Sequence, residues 1–175
     1  AGTYEVQIGA SSRDLRLKGR FALAETWTQA IPGCGEWSDP TPQVGEDLAR
    51  GKPVRASSVE RDDTPAAAAV DNDGSTRWSS RHNDPQWLTV DLGATVTVGQ
   101  VLLCWEAAYA ESYALEVSLD GVEWRTVYET TTGQGDEELI RFAPVEARYV
   151  RLWGRRRGTP YGYSLYTLGV YAPPR

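Results

Sequence analysis

From Asp47 to Tyr171 the apolar residues come in short alternating runs, and no segment sustains a helical period. Leu88, Val90 and Leu92 alternate; so do Val101, Leu103 and Trp105, then Tyr113, Leu115, Val117 and Leu119, then Val150 and Leu152. Turn signals divide the runs: Asp91-Leu-Gly93, Asp120-Gly121, Gly133-Gln-Gly135 and Gly158-Thr-Pro160. A period of two gives each strand one apolar face, and several such strands bury those faces by stacking as two layers. The expected fold is all-β, a β-sandwich. At 175 residues, 41% of them apolar, the chain is long enough for one such domain with an appendage.

The appendage is the N-terminal end. Tyr4, Val6 and Ile8 alternate, Ser11 to Asp14 is a turn, and Leu15, Leu17, Phe21 and Leu23 lie inward against Arg16, Lys18 and Arg20. Residues 1–23 therefore read as a β-hairpin with one wet face, which two strands alone barely stabilise in water. Residues 24–46 carry Pro32, Gly33, Gly35, Pro40, Pro42 and Gly45 and read as a linker, with Trp27 and Trp37 marking it as one that lies on a surface. The organisation is thus hairpin 1–23, linker 24–46 and sandwich 47–175.

A net charge of -6 argues against nucleic-acid binding by counterion release. No apolar run is long enough to span a bilayer. Ala1 reads as the start of an excised piece. Seven Trp and nine Tyr against two Phe favour half-buried and sugar-facing aromatic sites over deep cores. Cys34 and Cys104 have no metal-ligand spacing; a bridge between them and a buried Cys104 thiol both stand open.

The stretch Ala69-Val-Asp-Asn-Asp-Gly-Ser-Thr-Arg-Trp-Ser-Ser80 packs oxygen ligands, a tight turn and a large aromatic together. Asp71, Asp73 and Thr76, with Gly74 supplying turn freedom, offer the ring of carboxylate, hydroxyl and carbonyl oxygens that Ca²⁺ takes. On spacing alone, an Asx-rich surface turn capped by its own side chains is the favoured reading. It is not an EF-hand loop, because no glutamate closes it.

Six blocks in order carry a resemblance: residues 47–58, 69–78, Gln86-Trp-Leu-Thr-Val-Asp-Leu-Gly93, Ser118-Leu-Asp-Gly-Val-Glu-Trp124, Ala147-Arg-Tyr-Val-Arg-Leu152, and 163–171. Residues 47–171 resemble the discoidin, or coagulation factor V/VIII C-type, domain, and more narrowly a family 32 carbohydrate-binding module. That resemblance implies a jelly-roll-like, galactose-binding-like β-sandwich with a structural Ca²⁺. The implied ligands are Ala69, Asp71, Asp73 and Thr76, closed from the last strand by Thr167 where the family usually has glutamate. Residues 2–14 and the strand after them resemble the last hairpin of the fibronectin-like domain ending many family 3 glycoside hydrolases. This implies the C-terminal piece of a larger secreted glycosidase, with the parent catalytic domain in cis.

Sugar sites need an aromatic face for the ring's C–H surface and planar donors and acceptors for its hydroxyls. The loops 57–66, 79–86, 106–112 and 155–163 hold such groups. By the resemblance, Glu60, Arg77, Arg81, His82, Glu106 and Tyr161 are the expected carbohydrate contacts. Arg81 would repel an ammonium, so a neutral β-glucan or galactose-type chain is expected over a cationic amino-sugar polymer. Plainer roles compete. Arg77 could bridge the Asp carboxylates, His82 could be an ordinary polar residue, and Arg155-Arg-Arg157 could be a solvated turn. Trp87, Asp91 and Arg151 read as a structural stack and ion pair, and Trp78, Trp105, Trp124 and Trp153 as core. Nothing sets Glu60 against Glu106 as a glycosidase pair, and the single histidine has no nucleophile elbow, so no active site is expected. An adhesion or lipid-surface domain is disfavoured because the same loops are polar, and a structural appendage without a sugar ligand remains the alternative.

Overall fold

The computed structural model describes residues 2–11, 14–23 and 45–174. Linker residues 24–44, with Trp27, Trp37 and Cys34, lie outside the described residues. The chain divides into two units, Ala1–Thr41 and Pro42–Arg175. In the first, β1 (Gly2–Ser11) and β2 (Asp14–Leu23) pair antiparallel, with Tyr4 opposite Phe21 and Ile8 opposite Leu17.

The second unit is the sandwich. Its strands are β3 (Val54–Ala56), β4 (Trp78–Ser79), β5 (Gln86–Trp105), β6 (Ala110–Ser118), β7 (Arg125–Thr130), β8 (Glu137–Arg157) and β9 (Ser164–Tyr171), with one 3-10 turn at Ala66–Ala69. Two long strands, β5 and β8, serve both layers. The first part of β5 pairs with β3 and with the end of β8, which continues to β6 and β7. The last part of β5 pairs with the start of β8 and with β9, which continues to β4. Register shifts between Asp91 and Val96 and between Val98 and Gln100 mark where the shared strands turn from one layer to the other.

The core lies between the layers. Leu88 and Val90 meet Val101, Leu103, Leu165 and Leu168, all at most 0% exposed. Each such side chain contributes about 1.5–3 kcal/mol by leaving water. Trp78 is 1% exposed, and its indole N–H donates to the Ser58 carbonyl at 3.0 Å. Trp105 is also core.

Three expectations fail here. Leu119 does not continue the β6 alternation: the strand ends at Ser118, and Leu119 is 59% exposed. The Asp120 carboxylate draws the chain into a turn by accepting the Val122 and Glu123 amides at 2.8 and 2.9 Å. Trp124 and Trp153 are not core. They are half-buried on the outer face and hold the Arg151 guanidinium at 3.9 and 4.7 Å from their ring centres. Arg151 pairs with Glu116 at 2.7 Å, while Asp91 takes both arms of Arg148 at 2.9 and 3.0 Å. The stack is real, but its partners differ, because the register sets Arg151 directly opposite Glu116.

Candidate functional site

The strand registers bring four loops to one end of the sandwich. Ser79 lies opposite Ser164, Gln86 opposite Gly154, Trp105 opposite Leu165 and Ala110 opposite Arg157. Each pair sits where a loop leaves or rejoins a strand. Backbone bonds then stitch the loops: Ser80 N–H to Tyr163 O at 2.9 Å, Ser164 N–H to Ala108 O at 2.8 Å, and Gly158 N–H to Tyr109 O at 2.9 Å.

The buried pair Ser79 and Ser164 is the hub of this rim. Their hydroxyls are 3.0 Å apart, and one Arg77 nitrogen donates to both, at 2.8 Å to Ser164. The Glu60 N–H donates to Ser79 O at 2.8 Å, and the Glu106 N–H to Ser164 O at 3.0 Å. Glu60, Arg77 and Glu106, distant in sequence, thus meet at one cross-strand pair. Arg77 does not bridge the aspartates; the two serine hydroxyls accept its N–H bonds instead.

A second arm extends outward. Glu60 Oε1 lies 3.0 Å from His82 Nε2, and the His82 ring meets Tyr161 edge-on at 5.9 Å and 84°. Tyr161 is 62% exposed, which leaves its ring to solvent. Its backbone is fixed nonetheless: Arg157 donates to its carbonyl at 3.3 Å, and the Thr159 hydroxyl accepts its N–H at 3.3 Å. Arg81 holds by its N–H to the Ser58 hydroxyl at 2.9 Å, while its guanidinium makes no ion pair among the described residues. Glu106 Oε2 accepts the Ala108 N–H at 3.2 Å.

Sequence reasoning missed the brace beneath. Asp84 accepts the hydroxyl of buried Tyr163 and lies 3.3 Å from Arg157 Nε, off hydrogen-bond alignment. Burial first, then the Asp84 bond, pushes the Tyr163 hydroxyl far above its usual range, so it remains a donor. The three arginines at the end of β8 are also not one solvated turn. Arg155 and Arg156 make surface pairs with Glu129 and Glu111, both at 2.9 Å, but Arg157 belongs to the brace. The Tyr163–Asp84 link joins side chains 79 positions apart, and no local pattern announces it.

The Asp-rich turn is closed by its own groups. Asp71 Oδ1 accepts the Asp73 N–H at 2.8 Å, Asp71 Oδ2 the Thr76 hydroxyl at 2.7 Å, and Asp73 Oδ1 the Ser75 N–H and hydroxyl at 2.9 and 2.6 Å. The Ser75 bonds hold the Asp73 carboxyl below its usual range. The left-handed residue is Asn72, at φ 64°, and not Gly74. Among the described residues no three His, Cys, Asp or Glu side chains gather as metal ligands. The donors present are still all hard oxygens: two carboxylates, the Thr76 hydroxyl, and Ala69 and Thr76 carbonyls that take none of the turn's bonds. The set fits Ca²⁺ in kind, with low charge. Thr167 sits on β9, the strand that packs against the 3-10 turn ending at Ala69.

Residues 53–168 match the F5/8 type C domain family. Chitosan-binding module 1 of a chitosanase/glucanase from Paenibacillus sp. IK-5 is 48% identical, over 73% of this chain and 100% of its own, with a TM-score of 0.72. Module 2 from the same source, solved with chitotriose, is 41% identical over 72% of this chain and 100% of its own, with a TM-score of 0.71. The polysaccharide lyase 8 family protein HylA of Enterococcus faecalis is 32% identical over 117 residues, which are 61% of this chain but 8% of HylA. This chain therefore spans under a tenth of that relative's length.

Proposed function

This chain belongs to the F5/8 type C, or discoidin, domain family over residues 53–168, and from that membership we propose that it is a non-catalytic carbohydrate-binding module. One observation carries the reading. Glu60, Arg77 and Glu106 converge on the Ser79–Ser164 pair, and the exposed Tyr161 ring stands beside them through His82. A sugar ring on Tyr161 would find two carboxylates and two guanidinium groups around its hydroxyls. Affinity electrophoresis in laminarin, barley β-glucan, galactan and chitosan gels tests it. Retardation in at least one gel is expected; retardation in none contradicts the reading and leaves a structural appendage.

The ligand class follows from charge. Arg77 and Arg81 balance Glu60 and Glu106, and the Arg81 guanidinium has no carboxylate of its own among the described residues. A neutral β-glucan or galactose-type chain suits that balance. A second reading has specific support: modules at 48% and 41% identity are described as chitosan-binding, and two rim carboxylates suit an amino sugar's ammonium. The gels separate the two, because the neutral reading requires stronger retardation in laminarin, barley glucan or galactan than in chitosan.

A single shallow site binds weakly and works by raising local concentration. The role proposed is therefore to tether a secreted glycoside hydrolase, carried in cis, to its polysaccharide. A structural Ca²⁺ on Ala69, Asp71, Asp73, Thr76 and Thr167 is proposed beside it, supported by the all-oxygen donor set. Chelator should lower the melting temperature and added Ca²⁺ restore it, since a ligand bound to the folded state stabilises it. An unchanged melting temperature would contradict the ion.

A further inference from the structure

The outer face of the β3–β5–β8–β6 layer carries a cleft of about 410 Å³, within the usual range for ligand sites. It belongs to neither the rim nor the Asp-rich turn. The registers lay out its floor. Arg55 lies opposite Thr89, Thr89 opposite Arg151, and Arg151 opposite Glu116, one row of side chains across four strands. Trp87 and Tyr149 flank that row, and Trp124 folds back over it from the turn after β6.

Three half-buried aromatic rings thus line one concave surface. Trp124 is held rigid by the Arg151 guanidinium at 3.9 Å, which Trp153 backs and Glu116 neutralises. The other charges along the cleft are satisfied. Asp91 is paired with Arg148, and Asp120 Oδ1 accepts two backbone amides. The exception is Arg55, which is exposed and lines the cleft, and whose side chain makes no hydrogen bond or ion pair among the described residues.

Rigid rings half-exposed in a concavity match the C–H faces of pyranose rings. A guanidinium without a partner matches a carboxylate, which it takes by two parallel hydrogen bonds. We propose that this cleft is a second saccharide-binding site, taking a stretch of chain whose uronate carboxylate pairs with Arg55 while its rings pack on Trp87, Trp124 and Tyr149. Because it opens on a sheet face, it takes an internal stretch of chain.

The test is a titration of the full ¹⁵N-labelled chain with tri-galacturonate, read at the indole N–H signals of Trp87 and Trp124 and at the amide of Tyr161. The indole signals should shift and saturate with the Tyr161 amide unmoved. Arg55→Ala should weaken that binding about tenfold, the scale of one charge-assisted pair. Glu60→Gln should leave it unchanged, which separates this site from the rim whether or not the rim binds sugar. Silent indole signals, shifts at Tyr161 alone, or Arg55→Ala binding as the parent does would each overturn the proposal. Neutral laminaritriose binding equally well at the indoles would overturn the uronate assignment. Arg55→Lys, which keeps the charge without the fork, should recover part of the loss; no recovery contradicts the charge pairing.

Discussion

The Arg77 guanidinium donates to the Ser164 hydroxyl at 2.8 Å, across 87 positions of sequence. It ties the segment entering β4 to the first residue of β9 and sets a planar donor at the rim before any ligand arrives. Binding groups held in place ahead of time lose less freedom on association. One guanidinium nitrogen serves both hydroxyls, so Arg77→Lys keeps the charge but removes the remaining planar N–H donors that a sugar hydroxyl could meet. Affinity for the retained polysaccharide should fall about tenfold, on the scale of 1.4 kcal/mol per decade. Calorimetry with the corresponding oligosaccharide checks it.

Tyr161 is the exposed aromatic of the rim, and little of the core depends on it. Tyr161→Ala should abolish retardation in the gel while leaving the melting temperature nearly unchanged. Tyr161→Phe should retain most of the binding, because the ring face is the contact. Equal loss in both variants would move the essential contact to the hydroxyl.

On the proposed reading, Arg81 sets the sign of the ligand. Its backbone is fixed by Ser58, but its guanidinium has no ion-pair partner among the described residues, so reversing its charge leaves no buried group stranded. Arg81→Glu should raise retardation by chitosan relative to laminarin. An unchanged ratio would mean that Arg81 plays no part in selecting between a neutral and an ammonium-bearing sugar.

Gly154 lies on β8 where a Cβ would come 2.6 Å from Tyr163 Cε1 and 2.8 Å from its Cζ. Tyr163 is 1% exposed and cannot swing away. Gly154→Ala should therefore destabilise the sandwich by about 1–3 kcal/mol, the usual cost of overpacking. It should also weaken sugar binding, since Tyr163 anchors Asp84 in the brace under the rim. Denaturant midpoints give the first effect, gel retardation the second.

The strands were legible because alternation has a period of two and a buried face enforces it. Leu88, Val90, Val101, Leu103, Tyr113 and Leu115 all lie where the pattern puts them. Leu119 broke the pattern because the Asp120 turn starts one residue earlier than hydrophobicity alone indicates. The rim residues were legible as types on loops, which a sandwich gathers at its ends. Their organising pair was not: Ser79 and Ser164 are small, common residues whose meaning comes only from cross-strand register. For the same reason Arg151 was matched to Asp91 by proximity in chemistry, whereas the sheet places Glu116 opposite it.

The most direct test of a glycan-gripping rim is a ¹H–¹⁵N titration of the full chain with an oligosaccharide of the neutral polysaccharide that retards it most and, separately, with chitotriose. Saturable shifts are expected at the amides of Glu60, Arg81, Ala108 and Tyr161, around the Ser79–Ser164 pair, with both oligosaccharides recovered intact afterwards. No shift with either sugar, or shifts that leave those four amides untouched, would contradict it.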